Sequence, residues 1–141
     1  MSQPPAVFLP SRVRRALPPF PVREGCRVTP LIEAEDMYPA LERAVLAAET
    51  SVQMAFRIFD PDTKARSPEA KALGLADWTA ILRHVVSRGV NVRLLLTDFE
   101  PVMAHDLHAG SWSTFHTLRA MAETLPPDRL EDFEMMVIQH E

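Results

Sequence analysis

The chain has 141 residues, of which 47% are hydrophobic and 24% are charged, and its formal net charge is −4. This length and composition predict one globular domain or part of one, and exclude an intrinsically disordered chain. The negative charge argues against general nucleic-acid binding, so we expect no nucleic-acid partner. No apolar run approaches the roughly 20 residues that span a bilayer, and prolines interrupt the N-terminal segment where a signal peptide would be apolar. The single cysteine, Cys26, gives no disulfide pair. A cytoplasmic protein is expected.

Residues 1–24 are rich in proline and arginine, which predicts an extended N-terminal arm. The segment 1–23 contains four arginines and no acidic residue: Arg12, Arg14, Arg15 and Arg23. One interpretation is a basic arm that contacts phosphates or an anionic membrane surface, which would make the protein membrane-peripheral. The other, which we favour, is a linker that packs on its own domain through Val7, Phe8, Leu9 and Phe20.

Residues 25–141 read as an α/β domain that begins with a strand near 26–32. An acidic turn follows, and a helix is expected near 36–49, with Pro39 tolerated because it lies in the first turn. Apolar and polar residues then alternate over 51–59, which predicts a strand with one more polar face.

The segment from Trp78 to Asp98 has the clearest pattern in the chain. Apolar residues recur at helical spacing over 77–88, Asp77 stands at the N-cap position, and Gly89 can adopt the left-handed conformation that ends a helix. A nearly continuous apolar run over 91–97 then predicts a strand that is covered on both faces.

A long loop after Asp98 is predicted to carry His105, Asp106 and His108, before a helix near 112–125 that Ser113 would cap. A strand near 133–139 ends the sequence with no element after it, which suggests a truncated domain. The alternation of strands and helices predicts a three-layer α/β sandwich with a mainly parallel sheet.

Ligands bind at the carboxyl ends of parallel strands, so Asp98 and the segment after it are the first place to look for a site. The histidines near it have the residue types of a metal site, but H-x-x-H in a loop has no fixed geometry, and hydrogen-bonded loop histidines are the favoured interpretation. Ser111 and Ser113 lie in no G-x-S-x-G elbow. The glycines are too scattered for a phosphate-binding loop, so we expect neither a metal nor a cofactor.

Acidic residues after two strands also suggest a phospho-acceptor receiver domain, with Asp98 as the acceptor beside Glu35 and Asp36. A receiver needs a lysine near the end of a late strand. The only lysines, Lys64 and Lys71, lie in the wrong segment.

Two stretches resemble the N-terminal half of a phospholipase D superfamily domain: MYPALERAVLAAETSVQMAFRIFDPDT and LADWTAILRHVVSRGVNVRLLLTD. In that family a helix runs into a strand that ends in an aromatic residue and aspartate, and a later helix ends in R-G-V before a strand that ends in aspartate. The resemblance covers about residues 25–140, and its most specific part runs from Arg88 to Asp98.

The resemblance implies hydrolysis or transfer of a phosphodiester, usually in a phospholipid, through a phosphohistidine. The family's catalytic motif, H-x-K-x(4)-D, is absent, because none of the five histidines has lysine two positions later. We therefore expect this chain to be inactive alone, with the motif elsewhere in the parent protein. The candidates for the rim of the site are Asp60, Asp98, His105, His108 and His140. A catalytically dead binding or assembly domain is an alternative.

The last strand predicts self-association of the isolated chain. Phe133, Met135, Met136 and Val137 form an apolar strand with nothing after it to cover it. An uncovered strand edge pairs readily with another copy of itself.

Overall fold

A computed structural model describes residues 24, 25 and 27–138. Most of the predicted arm, Cys26 and His140 therefore lie outside the described residues. The chain divides between Pro30 and Leu31 into two units, and the described helices and strands all lie in the second. Among the described residues, no helix has the length and apolar character needed to cross a membrane.

The second unit alternates helices with parallel strands. Its helices are α1 (Ala34–Leu46), α2 (Pro68–Ala72), α3 (Trp78–Ser87) and α4 (His105–Ala122), with a 3₁₀ helix at Pro127–Asp132. Its strands are β1 (Ser51–Phe56), β2 (Asn91–Thr97) and β3 (Phe133–Ile138). The strands form one sheet in the order β1-β2-β3, and both pairs are parallel. The predicted α/β class with a parallel sheet is confirmed.

The helix α3 and the strand β2 match their prediction closely. Asp77 caps α3, since its Oδ1 accepts a hydrogen bond of 3.0 Å from the Ala80 N–H. Gly89 has φ +86° and ends the helix in the left-handed region. The apolar face of α3 is buried: Trp78, Ile81, Leu82, Val85 and Val86. Arg88 donates to the carbonyl oxygens of Leu46 and Ala48 at 2.7 and 3.0 Å, which fixes the end of α3 against the end of α1.

The predicted strand at 26–32 is wrong for residues 27–32, which form no strand. Pro30 has no N–H to donate to a sheet, and Ile32 is 86% exposed. Within the described residues, the first strand begins at Ser51.

The three-layer arrangement is also not observed in the described part of the chain. The three long helices share one core with a single face of the sheet, to which Met54, Val92, Leu94 and Leu96 contribute. The strands follow one another in order across the sheet, and crossovers of the same hand then place their helices on the same side. No described helix packs on the opposite face, where Gln53, Ala55, Arg93, Glu134 and Met136 are exposed. Within residues 27–138, the expectation that β2 is covered on both faces was therefore wrong.

Only part of the predicted apolar exposure of β3 is observed. Phe133, Met135 and Val137 pack against the core. Met136 points to the open face and is 56% exposed. The strand nevertheless lies at an edge, since among the described residues its only strand partner is β2.

Candidate functional site

The carboxyl ends of the three strands lie at one edge of the sheet, because all the strands are parallel. Two segments leave this edge beside each other: residues 57–62 after β1, and residues 98–104 before α4. Three of the predicted site residues lie here, namely Asp60, Asp98 and His108. This edge is the candidate site.

The helix α4 begins at His105, seven residues before the predicted start at 112. His105, Asp106 and His108 therefore lie in its first turns and not in a loop, and Ser113 lies inside the helix, where it cannot be the N-cap. The sequence pattern placed the start too late because the inward face of the helix is not apolar throughout. Leu107, Leu118 and Met121 lie on one face of α4, but the hydroxyl residues Ser111 and Thr114 interrupt the apolar pattern in its N-terminal half.

Asp98 and His108 form a partly buried, hydrogen-bonded pair of side chains at this edge. The His108 Nδ1 lies 2.8 Å from the Asp98 Oδ1, and the same oxygen accepts a 2.8 Å hydrogen bond from the Phe99 N–H. The Asp98 side chain is only 7% exposed, whereas that of His108 is 29% exposed. A neutral His108 that carries its proton on Nδ1 donates it to Asp98, which leaves Nε2 as a free acceptor. The pair holds α4 against the end of β2 and orients the imidazole.

The other predicted histidine is not part of this pair. The His105 side chain is 78% exposed, and its Nδ1 lies 3.6 Å from Oδ1 of the fully exposed Asp106 side chain. Among the residues that the structure describes, no three His, Cys, Asp or Glu side chains converge as metal ligands.

Asp60 stabilises the turn after β1. Its Oδ1 accepts a hydrogen bond from the Asp62 N–H at 3.0 Å, and its Oδ2 accepts one from the Thr63 hydroxyl at 3.1 Å. Both carboxylate oxygens are therefore used locally, in the pattern of an aspartate at the start of a turn.

A groove of about 240 Å³ lies between the segment after β1 and the N-terminal half of α4. Its apolar part includes Phe59, Leu96 and Leu107, and its polar part includes Arg57, Asp60, Asp62, Asp106, Ser111, Ser113, Thr114 and Thr117. Two hydroxyl groups join its walls. The Thr114 hydroxyl donates to the Phe59 carbonyl at 2.7 Å, and Ser111 Oγ lies 3.3 Å from the Thr97 carbonyl oxygen.

Sequence reasoning missed the part of α4 that lines this groove. The signal was a run of small and polar residues at helical spacing, Asp106, Gly110, Ser113 and Thr117, which becomes one face once the helix begins at 105. Arg57 was also missed. It reaches the groove because it follows β1 directly, and its guanidinium lies 5.2 Å from the centre of the Phe99 ring.

Comparison with known proteins adds no identification to this geometry. No protein-family model matches the chain, and no curated protein sequence matches it.

Proposed function

We propose that the domain is the N-terminal part of a phospholipase D-like phosphodiesterase, whose parent protein hydrolyses or transfers a phosphodiester, with a phospholipid as the expected substrate class. The observation that carries this proposal is the correspondence between the two resembling stretches and two neighbouring units of the fold. The first stretch contains most of α1, from Met37 onward, and all of β1, and the second contains α3 and β2. The two strands pair in parallel, with Met54 opposite Leu94.

The proposed chemistry is a two-step transfer through phosphohistidine, which divides one difficult displacement into two easier steps. The H-x-K-x(4)-D motif that supplies the nucleophile is absent from this chain. Its role in the parent is therefore to build part of the sheet and one wall of the site. The Asp98–His108 pair supports this role, because it fixes the start of α4 at the carboxyl edge where the site is expected.

Two alternative functions depend on different features of the domain. A binding or assembly domain is favoured by the open face of the sheet, where Met136 is 56% exposed. A receiver domain requires an accessible aspartate that can accept a phosphoryl group. Asp98 is 5% exposed and its Oδ1 already has two partners, which argues against that role.

The test uses the parent protein and a phosphodiester labelled at phosphorus. We expect a labelled protein adduct that survives alkali and is lost in acid, as a phosphoramidate is, and we expect none with the 141-residue chain alone. A parent that has no H-x-K-x(4)-D motif and yields no adduct would instead support the binding domain. Labelling of this chain by acetyl phosphate, abolished by Asp98→Asn, would favour the receiver.

A further inference from the structure

The groove between the β1 exit and α4 has polar groups that the fold itself does not use. Among the described residues, the side chains of Asp62, Ser113 and Thr117 have no hydrogen-bond partner, and all three line the groove. Asp60, Ser111 and Thr114, by contrast, are bonded to the turn or to the backbone. The unused carboxylate and hydroxyl groups are available to a ligand.

We propose that this groove binds a small neutral polyhydroxylated molecule, of the size of glycerol or a single sugar ring. Carboxylates accept charge-assisted hydrogen bonds from ligand hydroxyl groups, and the serine and threonine hydroxyls can both donate and accept. The proposal concerns this groove alone and is independent of the proposed phosphodiesterase activity, whose anionic substrate would have to bind elsewhere along the carboxyl edge.

The charges of the groove lining favour a neutral ligand over an anionic one. Three carboxylates, those of Asp60, Asp62 and Asp106, face a single guanidinium, that of Arg57. Unlike a hydroxyl group, a phosphate would be repelled by this excess of negative charge, since like charges within a few ångströms oppose each other strongly near a protein surface. Arg57 also lies over the Phe99 ring, and this contact competes with a phosphate for the guanidinium.

The size of the groove and its apolar lining residues support the same ligand class. Its volume of about 240 Å³ lies below the roughly 300–1,000 Å³ of sites for drug-sized ligands, so a small molecule is indicated. Phe59, Leu96 and Leu107 also line the groove and provide apolar surface. A polyol presents C–H groups between its hydroxyls, and these can contact that surface.

The wall formed by α4 allows a matched pair of variants. Ser113 is exposed on the helix and lines the groove, so Ser113→Phe places an aromatic ring in the ligand's space. Ala109 is exposed on the same helix and does not line the groove, so Ala109→Phe makes a comparable change outside it. Neither position is buried, so both variants are expected to fold, and their amide NMR spectra report this directly.

The experiment is an NMR titration of the isotopically labelled 141-residue chain with glycerol, glucose and inorganic phosphate at constant ionic strength. We expect the amide signals of Asp62, Gly110 and Ser113 to shift saturably with at least one polyol, with a dissociation constant in the millimolar range. Ser113→Phe should weaken that binding by about tenfold or more, which corresponds to 1.4 kcal/mol, and Ala109→Phe should leave it unchanged. Saturable shifts with phosphate alone, no saturable shift with any of the three, or binding that survives Ser113→Phe would each overturn the proposal.

Discussion

Glu42 is the buried charge on which the loop between β1 and α3 depends. Glu42 lies in α1 and is fully buried. The carboxylate accepts from the Arg66 N–H at 3.0 Å on both oxygens and from the Ser67 N–H at 2.7 Å on Oε2. Ser67 in turn caps α2, since its Oγ accepts from the Ala70 N–H at 3.2 Å. Glu42 therefore anchors the start of α2 to α1.

Replacing Glu42 by glutamine keeps the shape and changes the hydrogen bonding. The amide oxygen can take the place of Oε2, but the amide nitrogen then faces the Arg66 N–H, donor against donor. A hydrogen bond to a charged group contributes about 1.5–3 kcal/mol, and a buried unsatisfied donor costs about 1–3 kcal/mol. We expect Glu42→Gln to lower the free energy of unfolding by about 2 kcal/mol, and Glu42→Ala, which strands both N–H groups, by about 4 kcal/mol.

Urea unfolding followed by circular dichroism measures the loss of stability, and hydrogen exchange of the Arg66 and Ser67 amides locates it. Glu69→Gln is the matched control. The Glu69 side chain is 50% exposed, and its Oε2 lies 3.9 Å from Arg43 Nη1, which is long for an ion pair. Loss of this charge should therefore change the free energy of unfolding by less than about 0.5 kcal/mol. If Glu42→Gln unfolded at the same urea concentration as the wild type, with Arg66 and Ser67 still protected, the assigned role of the carboxylate would be wrong.

Two further predictions concern the glycines and the edge of the sheet. Gly89→Ala should destabilise the chain by about 1–2 kcal/mol because φ is +86° there, whereas Gly110→Ala, within α4 and with no atom near an added Cβ, should stabilise it by up to about 1 kcal/mol. Thermal unfolding of both variants checks the opposite signs, and equal shifts would contradict the backbone argument. The isolated chain should self-associate at micromolar concentration, and Met136→Lys should abolish this in sedimentation experiments. A monomeric wild type would refute the prediction.

The elements that the sequence predicted best are those in which local pattern and tertiary packing agree. The helix α3 has its cap at Asp77, its buried face and its terminal Gly89 within one short stretch, so nothing distant was needed to define it. The strand β2 follows at once, and its buried residues, Val92, Leu94 and Leu96, alternate as a strand with one covered face requires.

The candidate site was predicted less well because its geometry depends on distant contacts. Nothing local to His108 indicates that its imidazole meets Asp98, ten residues earlier, and this contact appears only when α4 packs against the end of β2. Ser111 and Thr114 interrupt the apolar pattern of α4, yet Thr114 donates to the Phe59 carbonyl after β1, and Ser111 Oγ lies between the carbonyl oxygens of Leu107 and Thr97 at 3.1 and 3.3 Å. A pattern of apolar residues cannot report hydroxyl groups used in this way.

The open face of the sheet determines how self-association can occur. Three strands about 4.8 Å apart and about 20 Å long give one face of the sheet an area of roughly 280 Å². A stable interface buries about 800 Å² of surface on each partner. Face packing would also bring the Arg93–Glu134 ion pair, with N and O atoms 2.9 Å apart, out of water. The face alone is therefore too small and too polar to hold two copies together. Among the described residues β1 and β3 are both edge strands, so we expect association to use such an edge as well, where backbone groups can bond to a second chain. Met136 is exposed on the open face and belongs to the edge strand β3. A lysine at that position should therefore oppose both face packing and edge pairing.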